Sequence, residues 1–70
     1  MTTALQTAKN NLAELESRQD YLNRALERCY SEERGRIVRD LDIVEREIAT
    51  AKATVAACER FEQELAQLAS

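Results

Sequence analysis

At its middle the chain reads Ser31-Glu32-Glu33-Arg34-Gly35-Arg36, a stretch without an apolar side chain. Gly35 is the only glycine among the 70 residues, and the chain has no proline. A glycine just beyond a helix end is a common C-terminal stop, because it adopts a left-handed backbone without steric cost. The stretch therefore predicts a turn around Gly35.

On both sides of this stretch, apolar side chains recur at alternating steps of three and four residues, which is the pattern of a helix that packs along one face. The first stripe comprises Leu5, Ala8, Leu12, Leu15, Gln19, Leu22, Leu26 and Cys29. The second stripe comprises Ile37, Leu41, Val44, Ile48, Ala51, Val55, Cys58 and then Leu65, with Phe61 expected to replace the polar Glu62 in the packing. If the three-four spacing of the first stripe is extended along the chain, it misses the second stripe by one residue. This offset arises within residues 31–36.

We predict a single domain over residues 1–70, with a helix over 3–34, a turn around Gly35 and a helix over 36–69. A short link makes consecutive helices antiparallel neighbours, so the expected fold is an all-α, coiled-coil-like antiparallel two-helix hairpin. Residues 3–6, Thr-Ala-Leu-Gln, fit a capping box at the first helix start. The alternative is one continuous helix in a long coiled-coil dimer, in which the frame shift is a skip residue.

One stripe on each helix buries too little apolar surface to fold a lone hairpin of this length. We therefore expect the hairpin to complete a four-helix bundle, either as a homodimer or around a helix of a partner protein. The side chains assigned to this partner or dimer interface are Leu12, Leu15, Gln19, Leu22, Leu26, Tyr30, Val38, Leu41, Val44, Ile48, Val55 and Phe61.

The charged side chains are typical of a solvated helical surface. Ten basic and thirteen acidic residues give a net charge of −3. Four pairs place an acid four residues before a base, the order that supports a helix: Glu14–Arg18, Asp20–Arg24, Glu32–Arg36 and Asp42–Arg46.

A cluster of arginines near the expected turn is a candidate contact patch for phosphate or an acidic partner. Its members are Arg24, Arg28, Arg34, Arg36 and Arg39. Acidic residues lie among them, whereas a nucleic-acid site favours unopposed positive charge and stacking aromatic side chains. Nucleic-acid binding is therefore the less favoured interpretation of this patch.

No pattern in the sequence indicates catalysis. The chain has no histidine, no glycine-rich phosphate loop and no pair of a nucleophile with a base. We predict that it is not an enzyme and that it has no catalytic residue, cofactor, metal or small-molecule substrate. Cys29 and Cys58 lie far apart along the expected hairpin, so we predict two unpaired cysteines that act as small apolar side chains.

The first residues do not pair a basic segment with an apolar one, and no apolar run approaches the ~20 residues that span a bilayer. We therefore expect a cytoplasmic protein without membrane contact.

The stretch Leu22-Asn23-Arg24-Ala25-Leu26-Glu27-Arg28-Cys29, followed by Gly35, resembles small co-chaperones of type III secretion needle subunits. Those proteins are acidic helical hairpins of similar length, with a glycine-containing turn near mid-chain. The resemblance implies that the hairpin joins a second, repeat-type chaperone and keeps an aggregation-prone needle subunit monomeric in the cytoplasm.

The sequence thus predicts a non-catalytic protein–protein interaction module. It would be a small helical adaptor, co-chaperone or inhibitor that binds a partner protein through its apolar helical face. One alternative is a structural coiled-coil dimer. The other is a nucleic-acid-binding regulator that uses the arginine-rich turn.

Overall fold

A computed structural model describes residues 3–69 and contains two helices, α1 over Ala4–Arg28 and α2 over Ser31–Ala69. The two helices pack against each other, and the start of α1 lies beside the C-terminal part of α2, so the hairpin is antiparallel. The all-α hairpin is confirmed over these residues, and the continuous helix is wrong. Of the predicted domain 1–70, residues 1, 2 and 70 lie outside the described part.

The connection between the helices consists of Cys29 and Tyr30, so the predicted turn around Gly35 is wrong. Cys29 has an extended backbone, with φ −80° and ψ 156°, and no residue of 3–69 has a positive φ. Because the connection uses no left-handed residue, it does not require glycine. Gly35 lies instead in the second turn of α2, and the predicted helix bounds of 3–34 and 36–69 are wrong at their inner ends.

Residues 31–33 explain why α2 begins before Gly35. Glu32 and Glu33 occupy the first turn of α2, where carboxylates interact favourably with the positive end of the helix dipole. The backbone N–H of Glu33 donates to the carbonyl oxygen of Tyr30 at 3.0 Å, which closes this first turn. Arg28 lies in the last turn of α1, where a cation is favourable.

The start of α1 has the threonine cap of the predicted capping box. Thr3 has an extended backbone, and its hydroxyl oxygen accepts a hydrogen bond from the Gln6 N–H at 3.0 Å. The side-chain Nε2 of Gln6 donates to Asn10 Oδ1 at 3.0 Å, and no described hydrogen bond runs from the Thr3 N–H to Gln6 Oε1. The hydrogen bond to Thr3 in the predicted capping box is thus confirmed, whereas the Gln6 side chain bonds to Asn10.

The core lies along the two predicted stripes. Leu22 of α1 packs with Leu41, Val44 and Ile48 of α2, and Val44 is only 2% exposed. Half-buried residues flank this cluster, namely Leu12, Leu15, Leu26 and Ile37. Every buried residue of 3–69 belongs to one of the stripes, which confirms both of them as far as Cys58.

Beyond Cys58 the predicted packing is wrong. Phe61 and Leu65 were expected to continue the second stripe, but they are 60% and 49% exposed. The physical reason is the length of the two helices. α1 has 25 residues and α2 has 39, and α1 reaches this part of α2 only with its first residues, Ala4 and Leu5, which line an open cleft with Phe61 and Leu65 and leave them exposed.

Ile48→Asp tests the core assignment, because Ile48 is buried in the cluster. A carboxylate there has no described polar partner, so we expect the variant to lose about 3–5 kcal/mol of stability and most of its helicity. Ile43→Asp is the matched control, since Ile43 lies on the same helix but is exposed. It should cost about 0.5 kcal/mol. Circular dichroism at a fixed protein concentration measures both, and equal effects would contradict the assignment.

Gly35→Ala tests the position of the turn. A Cβ at this helical position meets no atom within 4 Å and requires no change of φ. Alanine should therefore raise the free energy of unfolding by about 0.5–1 kcal/mol, because glycine is the poorer helix former. The exposed Ala53→Gly on the same helix should lower it by a similar amount. Urea denaturation measures both changes. A loss of stability in Gly35→Ala would indicate that residue 35 needs the backbone freedom of glycine, and so that the turn lies there.

Candidate interaction surfaces

The hairpin itself covers most of the side chains that the sequence assigns to a partner interface. Nine of the twelve are buried or half-buried: Leu12, Leu15, Gln19, Leu22, Leu26, Leu41, Val44, Ile48 and Val55. They occupy the two stripes that bring α1 and α2 together. Their contact with a further chain stays a prediction.

The other three assigned residues are exposed. Tyr30 lies in the connection and is 82% exposed, whereas Val38 and Phe61 lie on α2. Four more large apolar side chains are exposed among residues 3–69, namely Tyr21, Ile43, Leu65 and Leu68. Exposed apolar side chains thus occur at the connection, along both helices and at the end of α2.

The last part of α2, residues 59–69, forms what we call the C-terminal overhang. Every residue in it is exposed. Phe61, Leu65 and Leu68 follow Cys58 at steps of three, four and three, so these side chains lie on one face of the helix. The overhang continues an amphipathic helix past the packed stripe, and its residues Phe61, Glu62 and Leu65 lie beside the start of α1 without being buried by it.

An open cleft of about 330 Å³ lies where the overhang leaves the hairpin. Ala4 and Leu5 form its wall on α1. Its wall on α2 is formed by Ala57, Cys58, Phe61, Glu62 and Leu65. The cleft is mainly apolar, and among the described residues that line it Glu62 is the only charged one.

The five arginines of the predicted contact patch are all exposed, with Arg24 and Arg28 on α1 and Arg34, Arg36 and Arg39 on α2. Arg24 Nη2 lies 3.1 Å from Asp20 Oδ2, so one member already has an anionic partner. Arg24 and Arg28 also line a shallow groove of about 370 Å³ beside Tyr21 and Ala25. The groove combines an aromatic ring with two guanidinium groups on the outer face of α1.

Two of the four predicted ion pairs form. Asp20–Arg24 and Asp42–Arg46 each have an N–O distance of 3.1 Å, and both pairs are exposed. Glu14–Arg18 and Glu32–Arg36 do not form within the described residues. Exposed pairs of this kind contribute little to stability.

Both cysteines are free and half-buried at stripe positions. The thiol of Cys29 donates to the carbonyl oxygen of Leu26 at 3.3 Å, which ties it to the last turn of α1. Over residues 3–69 no three side chains of the types that bind metals are grouped as a metal site. Neither helix in this range has the length and apolar content to cross a membrane.

Four exposed apolar residues, Tyr21, Ile43, Leu65 and Leu68, were not assigned to an interface from the sequence, although Leu65 was placed in the second stripe. Leu68 had a signal, because it completes the three-four-three spacing that begins at Cys58. Ile43 directly precedes the buried Val44 and belongs to neither stripe, so its spacing carries no signal.

Comparisons with protein-family models, with curated proteins and with solved structures find no match for this chain.

The arginine patch predicts little affinity for nucleic acid. Acidic residues lie among its members and Arg24 is paired with Asp20, so few phosphates would be neutralised. We expect no retention on immobilised duplex DNA or RNA at about 50 mM salt, where electrostatic binding is strong. Retention that falls steeply with salt, and that is lost in Arg28→Gln together with Arg34→Gln, would contradict this expectation.

Proposed function

We propose that this chain is a non-catalytic protein–protein interaction module of the cytoplasm. Its helical hairpin binds a partner protein, or a second copy of itself, through exposed apolar side chains. The biological form is a small helical adaptor, co-chaperone or inhibitor.

One observation carries the proposal: the large apolar side chains that are exposed outnumber those that are buried. Seven are exposed over residues 3–69, whereas the buried large side chains are Leu22, Leu41, Val44 and Ile48. No large side chain in that range is less than 2% exposed, so even the core is thinly covered. Apolar surface that a small protein leaves exposed is commonly covered by another chain.

The shape of the hairpin supports a bundle as the form of the complex. A two-helix hairpin buries one face of each helix, and further helices can cover the sides beside the stripes. Val38 lies beside the second stripe and remains exposed, as a contact with an added helix would require. Completion of a four-helix bundle, by dimerisation or by a partner helix, is therefore part of the proposal.

The likeness of residues 22–29 to co-chaperones of type III secretion needle subunits suggests one specific form. In that form, the hairpin would join a second chaperone and hold a needle subunit as a monomer. The hairpin fold is compatible with this role, since the resemblance implies a hairpin of similar length.

The test is whether the folded state depends on association. We expect one of two results. In the first, the mass exceeds that of the 8.0 kDa chain, and the midpoint temperature of unfolding rises when the protein concentration is raised from about 1 to 100 µM. In the second, the chain is a monomer with incomplete helicity, and its helicity increases when an amphipathic helical peptide is added. Light scattering and circular dichroism measure these quantities. A fully helical, cooperatively folded monomer that responds to neither concentration nor peptide would refute the proposed function.

A further inference from the structure

The C-terminal overhang is the part of the molecule with the clearest missing contact. Residues 59–69 extend about three helical turns past the last residue of the second stripe that packs in the hairpin, Cys58. An isolated helix of this length is marginal in water, because most helical stability in proteins comes from packing of an apolar face. A partner helix that covers the apolar face of the overhang would therefore stabilise it.

The overhang also carries the side chains that such a partner would contact. Phe61, Leu65 and Leu68 lie on one face and are 60%, 49% and 84% exposed. At the base of this face, the cleft between Ala4, Leu5 and Cys58 offers room for an inserted apolar side chain. A helix laid along the face could insert one side chain into the cleft and cover Leu68 with another, as in helix-in-groove recognition.

The charges beside this face indicate the chemistry of the occupant. Glu62 follows Phe61 and Glu64 precedes Leu65, so the two carboxylates flank the apolar face on opposite sides. No described residue forms an ion pair with either of them. The overhang carries one basic residue, Arg60, against three glutamates.

A second copy of this chain is the less favourable occupant. In an antiparallel pair centred on the overhang, Phe61 would meet Leu65 of the other copy. In an antiparallel pair, each position that flanks the apolar face lies opposite the same position of the other helix. Glu62 would therefore face Glu62 of the other copy, and Glu64 would face Glu64 of the other copy. Like charges across a contact are destabilising, and in any orientation two copies bring together segments of like net charge.

We propose that the C-terminal overhang and its cleft bind an amphipathic helix of another protein, with leucine-like anchors on one face and lysine or arginine beside them. The inference rests on the proposed function of an interaction module and names the class of partner at this surface. Apolar contact supplies the binding, and charge complementarity with Glu62 and Glu64 supplies the selectivity.

Two labelled helical peptides of about 18 residues provide the test with the full-length chain. Both carry leucines at steps of three and four. One has lysines at the flanking positions, and the other has glutamates there. We expect the basic peptide to bind at least tenfold more tightly than the acidic one, with an affinity that falls as salt is raised. Fluorescence anisotropy measures both affinities.

Variants of the chain then locate the site. Phe61→Ser with Leu68→Ser should abolish binding of the basic peptide, while helicity is retained because both side chains are exposed. Glu62→Gln with Glu64→Gln should weaken binding roughly threefold to tenfold and flatten its salt dependence. The matched control is Glu45→Gln with Glu47→Gln, since these exposed glutamates lie two apart in the middle of α2. It should leave the affinity unchanged.

The outcomes separate this inference from the proposed function. The inference is overturned if the two peptides bind equally, if the basic peptide does not bind at about 1 mM, or if Phe61→Ser with Leu68→Ser leaves its affinity unchanged. It is also overturned if that double variant instead dissociates a homodimer, because a second copy then occupies the overhang. In the last two cases the module still associates, and the proposed function stands.

Discussion

The contact between the stripe of α1 and the stripe of α2 is the interaction on which the rest of this molecule depends. It is centred on Val44, which packs with Leu22, Leu41 and Ile48 and is the least exposed side chain of the core. The hydrogen bonds and ion pairs described outside the helical backbone are local, joining residues three or four apart. Burial of apolar surface along this one line therefore holds the hairpin together.

This dependence explains which parts of the fold the sequence could predict. Alternating steps of three and four fix the face of a helix irrespective of where the helix ends, so the stripes from Leu5 to Cys58 were predicted correctly. The cap at Thr3 was also predictable, because it is a local interaction with Gln6. Both features depend on residues close together in the sequence.

The position of the turn was harder to predict, because two signals competed. Gly35 suggested a helix end, whereas Ser31, Glu32 and Glu33 form an acidic helix start. The acidic start prevailed, since the connection at Cys29 is extended and does not need glycine. α1 is therefore shorter than predicted, and Phe61 and Leu65 remain exposed beside its first residues, Ala4 and Leu5, although their spacing alone had placed them in the core. The candidate site could be found only once the relative lengths of the helices were known.

The hairpin measures 58 × 20 × 14 Å, and a helix of the length of α2 spans that whole long axis. Such a body rotates about its long axis much faster than it tumbles end over end. Amide N–H bonds run nearly parallel to the axis of their helix, so the amides of both helices reorient together at the slower rate. Nuclear magnetic relaxation would therefore be nearly uniform along α1 and α2, and the extended backbone at Cys29 would interrupt that uniformity.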